Sequence, residues 1–310
     1  MNVLLMGGNG QVGHEIALLL KEASIPVTIL CRGKHTAFMD AVKDIPTIFA
    51  DKNDEEKMKE VFQTRYTHII DTVPSVQTID LIFKYNKNLV HYIHCSSTGG
   101  YAPLPYIPCD EKAPYGGFGK GTGWDFKRVM DDHAMKLFHD YGFPATVIRP
   151  CYITGPGTFP LDNLGSRGQD FVKNLMEEKV LEIPGDGNTL LQPIHTRDLA
   201  RSFLLAMEYR ENTIGEIYNI TLSHALTHRR YVELCAEALG KKANLVCCSV
   251  EELLKKYPDA HETNLRFFDC HMCFSTAKAE KDMNYRPEYT PEQAVIEGAL
   301  WAAKRLGLID

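Results

Sequence analysis

The 310-residue chain carries 34 lysines and arginines against 40 aspartates and glutamates, a net charge of −6. That balance leaves no basic footprint for nucleic acid or for an anionic membrane surface. With 44% hydrophobic and 24% charged residues the composition is that of an ordinary globular protein, and no apolar run approaches the ~20 residues of a bilayer span.

The first thirteen residues organise the rest. Val3 to Met6 is an apolar run that reads as a buried parallel strand. It leads into Gly7-x-x-Gly10-x-x-Gly13 and then into a helix with apolar residues at Ile16, Leu19 and Leu20. Strand, spaced glycines and helix together form a cradle for a pyrophosphate. The glycines permit a tight turn and close backbone approach, and the helix N-terminus offers free N–H groups. A glycine-rich turn that binds nothing is the alternative. A strand starting so early leaves no place for an N-terminal signal. The nine cysteines, an odd number, read as free thiols. Cytoplasm is the expected compartment.

Strand and helix signals alternate from residue 14 to residue 95. Residues 26–31 read as a second strand, and residues 68–71 and 89–95 as further buried ones. Asn53-Asp54-Glu55-Glu56 looks like a helix start, with Asn53 as cap and Glu56 reaching back. Repeated units of this kind imply a doubly wound parallel sheet. Pro and Gly gather at 99–123 and 155–165, which read as long loops over the carboxyl edge of that sheet. After the second strand stand Cys31-Arg32-Gly33-Lys34 rather than a carboxylate. A guanidinium and an ammonium there favour a 2′-phosphate, so NADP is expected over NAD. Arg32 stacking on adenine or facing solvent is the other reading. Asp51 stands where a carboxylate accepts from the adenine amino group, or else it caps the next helix.

Over nearly its whole length the sequence resembles the extended short-chain dehydrogenase/reductase superfamily, in its NAD-dependent epimerase/dehydratase branch. The matching pieces are the glycine motif, Cys95-Ser96-Ser97-Thr98-x-x-Tyr101, Asp110-Glu111-x-x-Pro114, and Arg149-Pro150 leading to Gly155-Pro156-Gly157. Gly185-x-Gly187, Ile194-His195-x-x-Asp198-Leu199-Ala200 and Ile217-Tyr218-Asn219 follow. The resemblance implies an α/β architecture: a Rossmann-type doubly wound parallel sheet over residues 1–150, rejoined around 189–210, and a smaller C-terminal α/β substrate lobe over 151–310. It implies a cofactor wall of Gly7, Asn9, Gly10, Gln11, Val12, Gly13, Arg32, Asp51, Val73, Ser97, Lys127 and Pro150. It also implies a small-molecule substrate of sugar, polyol or carbonyl type. A homodimer is left open.

The family's chemistry uses a Ser or Thr, and a Tyr followed four residues later by a Lys. The tyrosine exchanges a proton with a substrate hydroxyl, and the lysine binds the nicotinamide ribose and lowers the tyrosine's pKa. Ser97 and Lys127 fit the first and last roles. The position four before Lys127 is Gly123, which carries no proton-transfer group, and the register Gly116-x-x-x-Lys120 also lacks a tyrosine. Tyr101 and Tyr115 are the candidates to replace it. A missing tyrosine is a feature shared with the chloroplast stem-loop-binding proteins. Two further departures concern the substrate. Tyr152 stands where sugar-nucleotide epimerases commonly have Asn, and Leu191 where they have an Arg for the substrate diphosphate. The expectation is thus an NAD(P)-binding epimerase, dehydratase or reductase-like protein with an atypical site. The alternative is a catalytically quiet dinucleotide sensor, RNA-binding protein or scaffold.

The remaining motifs read as structural. His195 as donor and Asp198 as helix cap are expected to pin a loop to the following helix. Cys270-His271-Met272-Cys273 holds a single C-x-x-C and reads as a strand, and His224 and His228 lack an intervening Glu, so no metal is expected. Thr290-Pro291-Glu292-Gln293 reads as a helix start with cap, first-turn Pro and returning Gln.

Overall fold

Val3 and Leu5 face one apolar core and Leu4 and Met6 another, so the first strand is buried on both sides. That is why its four residues are all apolar rather than alternating. The computed structural model describes residues 1–34, 37–116 and 125–310. Gly123 and the alternative Lys120 lie outside the described residues.

The first half runs β1 (Val3–Met6), α1 (Gln11–Glu22), β2 (Val27–Cys31), β3 (Thr47–Phe49), α2 (Glu55–Val61), β4 (His68–Asp71), α3 (Val76–Tyr85) and β5 (His91–Cys95). A short 3₁₀ turn over Thr98–Tyr101 precedes α4 (Asp125–Tyr141) and β6 (Ala145–Pro150). The chain continues through β7 (Tyr152–Thr154), α5 (Gln169–Met176), β8 (Val180–Pro184), β9 (Leu190–Leu191) and β10 (Pro193–His195). Next come α6 (Thr196–Glu208), α7 (Arg210–Thr213), β11 (Ile217–Ile220), β12 (Leu226–Thr227), α8 (His228–Ala238) and β13 (Asn244–Cys248). The last elements are α9 (Val250–Lys256), α10 (Glu262–Phe267), α11 (Ala277–Met283) and α12 (Pro291–Arg305).

Among the described residues the central sheet has seven strands in the order β11-β6-β5-β4-β1-β2-β3, each neighbouring pair parallel. The chain winds outward from β1 in both directions, so a switch point falls between β1 and β4, where an open α/β sheet leaves a crevice at its carboxyl edge. α1 and α6 cover one face, where Ile16, Leu20, Leu199 and Phe203 join one core. Helices α2, α3 and α4 cover the other through Met58, Ile79, Ile82 and Met130. A separate core gathers Phe171 and Leu175 of α5, Leu181 of β8, Val232 of α8 and Val295 and Ala299 of α12. That core is separate from the two that flank the central sheet. The capping box of Thr290 and Gln293, with Pro291 in the first turn, starts α12 as expected.

Three local expectations need correction. Asp54, not Asn53, caps α2, accepting from the N–H groups of Glu56 and Lys57. The Asn53 side chain accepts instead from the hydroxyls of Ser75 and Thr78, tying the two loops together. A carboxylate also suits the positive helix end better than an amide does. His195 and Asp198 both depart from their expected roles. His195 is the cap of α6 and its Nδ1 accepts from the Arg197 N–H at 3.2 Å, while the buried Asp198 carboxylate accepts from the N–H groups of Glu288 and Tyr289. Residues 270–273 form no named strand; Met272 makes an isolated bridge to Leu191.

Candidate active site

Two neighbouring cavities open along the carboxyl edge of the sheet, and they share Gln11, Val12 and Thr72 as wall. The smaller, of about 400 Å³, is lined by Gly7, Asn9, Gly10, Gln11, Val12 and Gly13, and beyond them by Arg32, Asp51 and Val73. Gly7 has φ +80°, a conformation that favours glycine. A Cβ on Gly13 would lie 2.1 Å from the Gly7 carbonyl oxygen, so the turn and the helix start touch backbone to backbone. Gly10 caps α1 without a side chain, and the first turn carries no acidic residue. Among the described residues no side-chain bond to the leading N–H groups of α1 is seen, which fits a pyrophosphate seated on the positive helix end.

At the far end of this groove the side chains of Arg32 and Lys34 have no hydrogen-bond or ion-pair partner among the described residues, and both line the wall. Asp51 accepts from the Asn53 N–H at 3.0 Å and does not cap α2. Lys52 escaped the sequence reading. Its ammonium pairs with the buried Asp71 carboxylate at 3.3 Å and also donates to the Val73 carbonyl, bracing the loop behind the groove. Its place directly after Asp51 was the one available signal.

The larger cavity, of about 580 Å³, contains Ser97, Lys127 and Pro150 in its wall. Ser97 follows the end of β5, and its hydroxyl accepts from the Gly99 N–H at 3.1 Å to cap the 3₁₀ turn. That bond leaves the O–H hydrogen free to donate outward. Lys127, in the first turn of α4, reaches back to the Cys95 carbonyl at 3.4 Å. Tyr152, Ile153, Leu161, Phe268 and Met272 form the apolar part of the wall. Leu191 is packed in the core of α5, β8, α8 and α12 at 2% exposure, so no diphosphate clamp stands at that position.

Tyr101 and Tyr115 are brought together one layer behind this wall, with ring centroids 4.9 Å apart. The Tyr101 hydroxyl accepts from Arg149 Nη1 at 2.6 Å. The Tyr115 hydroxyl donates to the Ser97 carbonyl at 2.7 Å and lies 3.4 Å from Ser96 Oγ. A Cβ on Gly100 would lie 2.3 Å from the Tyr115 ring, so that glycine makes the socket. Burial pushes the Tyr101 hydroxyl up to about 12 in spite of Arg149, and raises that of Tyr115 as well. Arg149 lies over the Tyr115 ring, 3.5 Å from its centroid, and its Nε donates to Asp131 at 2.9 Å. Asp131 also accepts from Ser96 Oγ at 2.8 Å and stands 2.8 Å from His94 Nε2. The sequence shows Arg149 in a motif and gives no sign that Asp131 is its partner. Only the fold makes them a buried pair that joins α4, β5 and β6.

Arg167 was not foreseen either. It sits in the loop ahead of α5, in the cavity wall, and donates to the carbonyls of Ile153 and Phe159, each at 2.7 Å. A lone arginine in a Gly- and Ser-containing loop gives no periodic signal. Among the described residues no group of three or more His, Cys, Asp or Glu could hold a metal ion, and no helix is long and apolar enough to cross a membrane.

Residues 3–221 match the model of the NAD dependent epimerase/dehydratase family. The chain is similar to a UDP-glucose 4-epimerase of Corynebacterium glutamicum, at 22% identity over 97% of this chain and 95% of the relative. It is equally similar to a probable UDP-arabinose 4-epimerase of Arabidopsis thaliana, at 22% identity over 96% of this chain and 80% of that one. Among solved structures, a UDP-glucose 4-epimerase with UDP-glucose from Thermotoga maritima superposes with TM-score 0.78 at 19% identity, covering 99% of this chain and 100% of that one. A dTDP-glucose 4,6-dehydratase in complex with NAD from Bacillus anthracis gives TM-score 0.78 at 19% identity, covering 98% and 97%. The doubly wound sheet, the glycine cradle at its switch point and the match over 3–221 agree, and the chain belongs to the NAD-dependent epimerase/dehydratase family.

Proposed function

We propose that this protein binds a nicotinamide dinucleotide, NADP in preference to NAD, and uses it for redox chemistry on a small hydroxyl or carbonyl compound of sugar or polyol type. The observation that carries the reading is the shared wall at Gln11, Val12 and Thr72. It sets a groove ending in two cations that are unpaired among the described residues against a cavity holding Ser97 and Lys127. Arg32 and Lys34 would meet the 2′-phosphate, the α1 N-terminus the pyrophosphate, and Lys127 the nicotinamide ribose hydroxyls. Val73 and Pro150 complete the walls. The dinucleotide, when bound, supplies hydride transfer at this end.

Ser97 donates its hydroxyl hydrogen to the substrate oxygen. Tyr115, bonded to the Ser97 carbonyl, holds that residue in place rather than touching substrate. With glycine at position 123, proton transfer passes through Ser97 and solvent, with Tyr115 and Tyr101 behind it. The apolar wall keeps bulk water from the reacting carbon.

The commitment of both tyrosine hydroxyls to internal partners favours a second reading, a dinucleotide-binding protein that turns over slowly or not at all. Titration calorimetry with NADPH and NADH, followed by NADPH oxidation against a panel of aldehydes and ketoses, tests both. Failure to bind either dinucleotide refutes the assignment. Tight binding without turnover selects the second reading.

A further inference from the structure

The charge in the larger cavity runs against the charge of the chain. The protein has 40 acidic and 34 basic residues, yet among the described residues lining this cavity there is no carboxylate. The two basic side chains among those described residues are Lys127, from α4 beside the sheet, and Arg167, from the loop ahead of α5. A cavity lined by one sign of charge between apolar walls concentrates ligands of the opposite sign.

Arg167 is held for such a task. Asp162 Oδ1 accepts from the N–H groups of Leu164 and Ser166 at 2.8 and 2.9 Å, which fixes the loop and engages that carboxylate, while Asp170, on the other side of Arg167 in sequence, pairs with Lys173. Gly165 packs against α10, where a Cβ would lie 2.9 Å from Asn264. The guanidinium is then pinned by the carbonyls of Ile153 and Phe159, with Thr158 Oγ1 at 3.5 Å. Those three contacts use at most three of the five N–H donors a guanidinium carries. At least two donors remain, on a group whose orientation is already set. A pre-oriented guanidinium is the natural partner of a planar or tetrahedral oxyanion.

We infer that Arg167 is the substrate's anion-binding residue, and that the substrate is a small hydroxyl or carbonyl compound bearing one terminal carboxylate or phosphate monoester. The oxyanion sits on Arg167 while the reacting oxygen faces Ser97. This rests on the reading that the larger cavity is the substrate site. It differs from a nucleotide-diphosphate substrate, whose clamp position is filled by the buried Leu191.

The test titrates inorganic phosphate, acetate and UDP into the free and the NADPH-saturated protein by calorimetry, in the parent and in two variants. Arg167→Met removes the guanidinium. Ser166→Asp adds a carboxylate beside it and leaves the contacts of Arg167 to Ile153 and Phe159 intact, so it reports even if the loop needs Arg167 to fold. The expected result is saturable phosphate or acetate binding in the parent, weakened about tenfold or more in both variants, with NADPH affinity unchanged in both. The tighter of phosphate and acetate identifies the oxyanion. Anion affinity that neither variant changes, or the lack of anion binding to a protein that binds NADPH, overturns the inference and leaves the cofactor reading standing. UDP binding about a hundredfold tighter than phosphate and dependent on Arg167 also overturns it, in favour of a nucleotide diphosphate. A protein that binds anions through Arg167 but no NADPH sinks the cofactor reading alone.

Discussion

Asp131→Asn is the sharpest probe of the buried support behind the site. The residue is 1% exposed and Arg149 is 3% exposed. The substitution keeps the shape of the side chain but removes its charge. Arg149 is then left buried without a counter-charge, with neutral contacts such as the Tyr101 hydroxyl and ring and the Tyr115 ring around it. Removing one partner of a buried pair costs about 3–5 kcal/mol, since the remaining charge is neither solvated nor paired. An unfolding entropy of about 2.1 cal/mol/K per residue over 310 residues gives roughly 0.65 kcal/mol/K, so the melting temperature should fall by roughly 5–8 °C. Scanning calorimetry reads this directly. The effect also has a pH signature. Burial by itself would raise the Asp131 carboxyl, but the hydrogen bond from His94, the charge of Arg149 and the bond from Ser96 outweigh it and hold the group below its ordinary 3.8. A carboxyl with a lowered folded value stabilises above its ordinary value and loses that contribution as pH falls through the folded one. The gap between parent and variant should therefore be constant near neutrality and close only below about pH 4. A shift under about 2 °C at neutral pH would refute the reasoning, because it would mean that Arg149 does not depend on Asp131 for its counter-charge.

Arg32→Ala should weaken NADPH binding by about 1.5–3 kcal/mol, the range for hydrogen bonds to charged groups, and leave NADH nearly unaffected. Calorimetry showing equal losses for both dinucleotides would place the 2′-phosphate elsewhere. Gly13→Ala forces a Cβ to within 2.1 Å of the Gly7 carbonyl. It should cost about 1–3 kcal/mol of stability as overpacking and abolish tight dinucleotide binding, both measurable in one thermal-shift titration. Burial pushes His228 and His91 down to about 3. The unfolded chain takes up protons below about 6.5 while these imidazoles stay neutral in the fold, so stability is full above that value and drains away as pH falls towards 3. His228→Phe, which keeps a ring stacked on Phe268, should flatten the melting-temperature profile between pH 6.5 and 4, and an unchanged slope would remove His228 from the account. Interconversion of UDP-glucose and UDP-galactose should stay below ~1 s⁻¹ with either cofactor, since the absent proton-transfer group is typically worth about 10²–10⁴-fold. Faster turnover, traced by Tyr115→Phe and Tyr101→Phe, would show a tyrosine acting on substrate.

The features legible in the chain are those that local chemistry dictates. An apolar strand, three glycines and a helix start at residues 3–20 placed the glycine-lined groove at the sheet's edge, because backbone approach and helix N–H groups depend on neighbours within a few positions. The Arg32 and Lys34 cations and the Thr290 capping box were legible for the same reason. Competing local options were less so. Asn53 and Asp54 are both good caps, and only the hydroxyls of Ser75 and Thr78, more than twenty residues away, decide that Asn53 is needed elsewhere. Tertiary structure alone made Arg149 and Asp131 a buried pair, committed the Tyr101 and Tyr115 hydroxyls to partners behind the cavity wall, and brought Arg167 into the wall of the larger cavity. Each of those outcomes depends on where a side chain points after strands and loops distant in sequence have packed. A residue's identity gives its chemistry, but the packing of elements separated by tens of residues gives its partner.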